Sequence, residues 1–425
     1  MHHPVTPEIS AQGLAIGKGL VAGRSGARKT IRIFPQPAPQ GSANAASPPG
    51  LLTVAAADPA SEQPATLMLA PVKGRGSAWA IEHRFTRDSH ESFDDGWGTL
   101  AQAAAAESAA PRTEVRDERV KSILAGNDSP DIGFDLSINP YRGCEHGCIY
   151  CYARPTHSYL NLSPGLDFET RIIAKVNAAE RLRAAFDSKG YEPMALNIGS
   201  ATDAYQPAER RLRITRSVIE VMNEYRHPFS LVTKSALVER DLDLIAPMAE
   251  RRLAAVYVSI TTLDPKLARI LEPRAASPQR RLDTIRALAD AGVPVGVSVS
   301  PVIPFINEPE LERVLQAARD VGATSAFSIV LRLPWEVHPL FEQWLAQHFP
   351  DRAARVMARV REMRGGRPYD ARFGSRMTGR GVWADLLRQR FDKAVARLGM
   401  NRDREPLDLG QFMRPARSDC QPSLF

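Results

Sequence analysis

The 425-residue chain contains no apolar run of the roughly 18 residues that a spanning helix needs. The longest candidate, over 293–305, is interrupted by Pro and Ser. The N-terminus also lacks a continuous apolar segment followed by a cleavage site, so the expectation is a soluble, cytoplasmic protein with no secretory signal and no membrane partner. Cysteine is scarce. The four present are Cys144, Cys148, Cys151 and Cys420, and three of them crowd into one eight-residue stretch. That distribution excludes the even, chain-wide spread of a disulfide scaffold and reads as ligands for a metal or cluster. Acidic residues are missing between Glu8 and Asp58, where Lys18, Arg24, Arg28, Lys29 and Arg32 supply positive charge. With 44% apolar and 24% charged residues, the chain is neither fibrous nor wholly disordered. A net charge of +7 and a pI near 9.3 suit polyanionic partners without requiring them.

Four stretches follow from the pattern. Residues 1–72 are rich in Ala, Pro, Gly and Ser without a helical or strand period, and are expected to be a disordered low-complexity tail. A solvated tail, or a reading frame extended upstream of a start such as Met68, is preferred to a nucleic-acid arm or an organelle-targeting segment. Residues 73–133 read as a segment wrapping the main domain, with Trp79, Phe85, Phe93 and Trp97 as isolated anchors. Residues 134–334 alternate short apolar runs with amphipathic stretches. Strands are predicted over 134–138, 194–198, 229–232, 255–260, 293–299 and 325–331, and helices over 169–189, 212–225, 241–251, 278–291 and 308–321. Strands that alternate with helices pair in parallel. Six such units are too few for an eight-fold barrel, and periodicity alone leaves a partial barrel and a doubly wound sheet both open. Residues 335–425 form an Arg-rich extension, with helices predicted over 339–363 and 383–398.

The cysteine loop directly follows the first predicted strand, and in parallel α/β architectures the C-terminal strand ends face the active site. Gly143 and Gly147 permit the loop to curl until Cys144, Cys148 and Cys151 converge. Three thiolates can ligate three irons of a [4Fe–4S] cluster and leave the fourth iron open for another ligand. The competing assignment is a zinc site completed by His146 or His157. Zinc ligands usually come as C-x2-C pairs from two separated places, and no second pair exists here. His146 is expected beside the loop, not on a metal.

The C-x3-C-x2-C spacing, with Tyr150 immediately before the last cysteine, resembles the signature of the radical S-adenosylmethionine (radical SAM) superfamily. The likeness extends to the spore photoproduct lyase branch and its uncharacterised bacterial relatives. It rests on Cys148-Ile149-Tyr150-Cys151-Tyr152-Ala153, Thr233-Lys234, Ser259, Leu271-Glu272-Pro273 and Ser277-Pro278, and on Ala291-Gly292-Val293-Pro294-Val295-Gly296 leading into Pro301-Val302-Ile303-Pro304. At motif level it covers roughly 131–318, and more loosely 73–415. The resemblance implies an α/β partial (β/α)6 barrel. It implies a [4Fe–4S] cluster on Cys144, Cys148 and Cys151, with S-adenosylmethionine chelating the fourth iron. Reductive cleavage then gives a 5′-deoxyadenosyl radical that abstracts hydrogen from a substrate. It further implies S-adenosylmethionine contacts at Tyr150, Thr202, Lys234 and Ser259, and a flavodoxin or ferredoxin-type electron donor. Two departures stand out. Gly199-Ser200-Ala201-Thr202-Asp203 replaces the Gly-Gly-Glu stretch common in the superfamily, as it broadly does in the lyase branch; Asp203 is a candidate substitute or a turn cap. Ser200 occupies the position matching the hydrogen-donating cysteine of the lyase, and a serine O–H bond is too strong for that role. Photoproduct repair of DNA is therefore the second reading, and a non-catalytic iron–sulfur binding or sensing protein the third. Cys420 is a lone tail cysteine.

Between Arg352 and Arg417 basic residues outnumber acidic ones by about two to one, nearly all of them arginine. Arg364, Arg367, Arg372, Arg376 and Arg380 interleave with Gly, Tyr369 and Phe373. Arginine forks suit phosphates and aromatics suit unpaired bases, so a nucleic-acid substrate is one expectation. A phosphorylated small molecule, an acidic protein, or ion pairing onto the barrel itself are the others.

Overall fold

The computed structural model describes residues 72–86, 112–402 and 405–415; the N-terminal tail, Phe93, Trp97 and Cys420 lie outside them. In chain order the strands are β1 (Glu114–Glu118), β2 (Leu124–Gly126), β3 (Leu136–Ile138), β4 (Tyr141–Arg142), β5 (Arg171–Lys175), β6 (Leu196–Ile198), β7 (Phe229–Thr233), β8 (Ala254–Ser259), β9 (Val295–Val302) and β10 (Ser325–Val330). Seven of them form one sheet in the order β10-β9-β8-β7-β6-β3-β2. All pairs are parallel except the edge pair of β2 with β3. The six predicted strands thus lie side by side in chain order, and among the described residues β10 does not pair back to β3. This is a partial barrel, open on one side.

The core explains the register. Ile138, Ile198, Leu231 and Val256 are paired neighbours across four strands, and all are fully buried. The crossover helices cover the outer face: α1 (Ala178–Phe186), α2 (Ile214–Glu224), α3 (Leu242–Glu250), α4 (Pro278–Asp290) and α5 (Leu311–Asp320). In α5, Leu311, Val314, Leu315 and Ala318 make one buried stripe at helical spacing. The start of α4 is capped by the Ser277 hydroxyl, which accepts from Arg280 N, with Pro278 opening the first turn.

Two helix predictions need correction. The stretch 169–189 is not one helix: a single helical turn, Asp167–Thr170, runs into β5 at Arg171–Lys175, and the longer helix is confined to Ala178–Phe186. The run Arg171-Ile172-Ile173-Ala174-Lys175 buries Ile172 and Ala174 at a period of two, and it pairs with β1 and β4 in a second, three-stranded sheet. Likewise 339–363 divides into α6 (Val337–His348) and α7 (Pro350–Met363), because Pro350 cannot continue the ladder of α6 and instead opens a new first turn.

The extension is part of the barrel's packing. Leu387, Phe391, Ala394 and Val395 of α8 (Val382–Arg397) belong to the main core cluster, while α6 and α7 pack with Ile149, Tyr150 and Leu271 in a second one. Trp79 and Ile81 pack against that second cluster, and Arg84 forks onto Glu336 at 2.9–3.0 Å. No helix among the described residues is long and apolar enough to cross a membrane.

Candidate active site

The cysteine loop follows β4 and is shaped from behind. Gly143 and Gly147 have φ of +78° and +68°, and a Cβ on Gly147 would stand 2.7 Å from Glu169 Oε2. Only glycine suits both the backbone and the space. Arg154, fully buried, donates to the carbonyls of Gly147 (3.2 Å), Cys148 (2.9 Å), Pro164 (3.2 Å) and Gly165 (2.8 Å), and to Glu169 Oε1 (2.5 Å). Glu169 in turn accepts from the backbone N–H groups of Gly76 and Ser77 at 2.9 Å, which ties the N-terminal wrapping segment to the back of the loop. From the front, Gln206 Nε2 and the Thr202 hydroxyl both donate to Gly143 O, at 3.2 and 2.6 Å. Thr202 therefore holds the loop, with its oxygen also accepting from Gln206 at 3.0 Å. The segment after 270 adds further ties, Ile149 N to Leu271 O at 3.1 Å and Arg274 N to His146 O at 3.2 Å.

Strand ends supply the facing groups. Asp203, after β6, accepts from Lys234 N (2.8 Å) and the Thr233 hydroxyl (2.7 Å), and it lies 3.2 Å from His146 Nδ1, outside hydrogen-bond geometry. Burial opposes its ionisation, but His146 and these donors outweigh burial and hold Asp203 well below the usual carboxylate range. Asp203 thus joins the end of β7 to the cysteine loop. Beneath Tyr150 lies a buried network in which its hydroxyl donates to Glu272, which also accepts from Thr261 Oγ1 (2.8 Å) and forms an ion pair with Arg281. Arg281 Nη1 reaches Ser259 O at 3.0 Å. Burial works against the Glu272 charge, but Arg281, Lys234 and the Tyr150 hydroxyl keep the group ionised below its usual range. The Lys234 ammonium sits 5.8 Å from the Tyr150 ring centre. Burial opposes its charge, yet Cys148 and Glu272 raise its pKa above the ordinary value.

All seven residues singled out in the sequence, Cys144, Cys148, Cys151, Tyr150, Thr202, Lys234 and Ser259, line one cavity of about 2150 Å³. Small-ligand sites usually occupy about 300–1,000 Å³, so this volume has room for a cofactor assembly and a substrate together. The three thiols are free. Burial pushes the Cys144 thiol well above its ordinary value and the Cys148 thiol up to about 12, the latter against the pull of Lys234. Such thiols ionise when a metal centre binds them. Among the described residues no three His, Cys, Asp or Glu side chains converge where one ion would sit. A cluster that takes one iron per thiolate needs no such convergence. His157, the other suggested zinc ligand, lies behind the loop with Nε2 3.0 Å from Arg171 O, and burial pushes its pKa down to about 4. The donor set fits a cluster.

For much of the Arg-rich loop the structure matches the alternative of pairing within the protein. Arg364 is buried and donates to the carbonyls of Val330, Leu331, Ser375 and Arg376 at 2.8–3.1 Å. Arg376 pairs with Asp131 at 2.7 Å and Arg372 with Asp370 at 3.0 Å. These three mostly tie the extension together and onto the barrel; Arg367 and Arg380 stay exposed. Arg154, Glu169, Gln206, Glu272 and Arg281 were not legible as site residues. Glu272 stood out only within the Leu271-Glu272-Pro273 motif, and for the other four nothing in the flanking sequence reveals the partner.

Residues 138–318 match the family model of the radical SAM superfamily. An uncharacterised protein of Mycobacterium tuberculosis is 34% identical over 275 residues, covering 64% of this chain and 77% of its own. Another, from Methanocaldococcus jannaschii, is 29% identical over 236 residues, 55% of this chain and 83% of its own. Among solved structures, spore photoproduct lyase complexed with a dinucleoside spore photoproduct superposes with a TM-score of 0.50 at 17% identity, over 75% of this chain and 87% of that one. At that identity the likeness is one of fold. The chain belongs to the radical SAM superfamily. It is a radical SAM enzyme, whose cofactors are a [4Fe–4S] cluster and S-adenosylmethionine.

Proposed function

We propose that Cys144, Cys148 and Cys151 hold the cluster and that the enzyme abstracts hydrogen from an anionic substrate bound in the same cavity. The observation that carries this is the placement of those thiols and Lys234 on one cavity at the C-terminal strand ends. Bound there, cluster and S-adenosylmethionine supply a one-electron reductive cleavage that yields a hydrogen-abstracting species; the electron comes from a flavodoxin or ferredoxin-type donor.

The chain's own residues do the rest. The Lys234 ammonium, whose backbone N–H is fixed by Asp203, would pair with the methionyl carboxylate. Ser259 offers a hydroxyl at the end of β8, and Tyr150, held by Glu272, forms a wall. Thr202 acts through Gly143 and fixes the loop. A nucleic-acid component is the favoured substrate, because the cavity mouth carries Arg332 and exposed aromatics beside the cysteine loop. Photoproduct repair is the second reading, favoured by the shared fold but set back by Ser200, whose hydroxyl accepts from Asn139 Nδ2 at 3.1 Å where the lyase chemistry calls for a thiol.

Binding tests the assignment directly. After anaerobic reconstitution, S-adenosylmethionine should perturb the electron paramagnetic resonance signal of the reduced cluster. Lys234→Ala should keep its iron but weaken that binding by about tenfold or more, the worth of one charge-assisted contact. Unchanged affinity in Lys234→Ala removes this lysine from the site.

A further inference from the structure

Five aromatic side chains among the described residues stand between 48% and 67% exposed: Phe85, Tyr152, Tyr159, Trp335 and Phe373. Contacts join four of them, Phe85, Tyr159, Trp335 and Tyr152, into one strip whose Tyr152 end lines the cavity, and Phe373 lines that cavity too. Phe85 and Tyr159 are 5.3 Å apart, and the Arg84 guanidinium lies over both rings and over Trp335 at 4.5–5.2 Å. Trp335 neighbours Tyr369 at 6.5 Å, and Arg332 then joins Tyr369 (6.0 Å) to Tyr152 (5.1 Å). Tyr152 directly follows Cys151, so the strip ends against the cysteine loop. Phe373, under Arg376 at 4.5 Å, lines the same cavity.

Arg332 marks where a ligand belongs. It lines the cavity and, among the described residues, forms no ion pair and keeps a buried Nε without a partner; it contacts the Tyr369 hydroxyl at 3.4 Å and Met377 Sδ at 3.2 Å. A guanidinium without a carboxylate, set between two aromatic rings, is complementary to a phosphate whose neighbouring base stacks on those rings. Arg84 is paired with Glu336 and Arg376 with Asp131, so Arg332 supplies the uncommitted charge, while the exposed rings suit the bases of consecutive nucleotides; only unpaired bases present their faces, since a duplex keeps them inside its own stack.

We infer that this strip is the binding track for a single-stranded polynucleotide, with Arg332 holding the phosphate nearest the cysteine loop. The inference deepens the reading of a nucleic-acid substrate and rests on it for the chemistry that follows binding. Reconstituted protein is titrated against labelled oligothymidylate of about a dozen nucleotides, the same strand annealed to its complement, and oligouridylate, followed by fluorescence anisotropy. The single strand should bind, more weakly as salt rises, and at least about tenfold more tightly than the duplex. Arg332→Gln and Trp335→Ala should each weaken binding by about tenfold, and Arg286→Gln on the outer face of α4 should leave it unchanged. The deoxyribose and ribose arms decide which strand is preferred. Equal affinity for duplex and single strand, or no loss in either variant, overturns the inference. Formation of 5′-deoxyadenosine is measured on the same sample. Binding without it leaves the track standing and removes the radical chemistry; 5′-deoxyadenosine without binding does the reverse.

Discussion

Arg154 shows how much of the site depends on single side chains that touch no cofactor. Its guanidinium serves four loop carbonyls and the buried Glu169 carboxylate. Replacement by Met would leave Glu169 buried beside an apolar chain, and removing one partner of such a pair typically costs about 3–5 kcal/mol. Guanidinium denaturation of Arg154→Met should show that loss, together with reduced iron uptake; a change under about 1 kcal/mol would contradict the role given to the residue. His227 gives a second test, remote from the cysteines. It is fully buried, stacked on Phe186 at 4.6 Å, with Nδ1 2.9 Å from Pro228 O and Nε2 2.7 Å from the Tyr191 hydroxyl. Burial, against the Pro228 hydrogen bond, pushes its pKa down to about 4. Because the folded state disfavours the proton, its contribution is complete above about pH 6.5 and is lost as pH falls toward 4, up to about 3 kcal/mol. Denaturation midpoints of wild type and His227→Gln should converge as pH drops from 7.5 to 4.5; parallel curves would remove the effect.

Elements were legible where one pattern dominated. The six strands of the barrel carry apolar runs too short for helices, and five crossover helices carry clear apolar stripes, so their order could be read directly. β5 could not: its Ile172-Ile173 pair suits either element, and its partners β1 and β4 lie outside the local window. The cysteine loop was legible because its spacing is itself chemical, and its glycines because the loop must curl. Gly147→Ala tests that curl. The left-handed backbone costs about 1–2 kcal/mol for any other residue, and the contact with Glu169 adds to it. The variant should melt earlier and bind less iron per chain; an unchanged melting temperature would contradict the tight fit behind the loop.

The open barrel reaches its stable form only with its additions. The extension places Met363, Leu387 and Phe391 in the main core, and Gly374 N and Arg376 hold Asp131 at 2.6 and 2.7 Å, linking the extension to the segment just before β3. Ion pairing onto the barrel was one of the readings the arginines allowed, but composition could not say which of them bond within the protein: Arg364, Arg372 and Arg376 do. A chain ending at residue 334 should therefore be insoluble or molten by near-ultraviolet circular dichroism; a cooperatively unfolding fragment would make the extension a separate domain.

The central claim is that this chain performs radical chemistry from its three-cysteine loop. Anaerobic reconstitution with iron and sulfide, reduction, addition of S-adenosylmethionine and chromatography for 5′-deoxyadenosine tests it most directly. The account predicts product from the wild type and none from Cys148→Ala. A fully loaded, reduced cluster that leaves S-adenosylmethionine intact would contradict it.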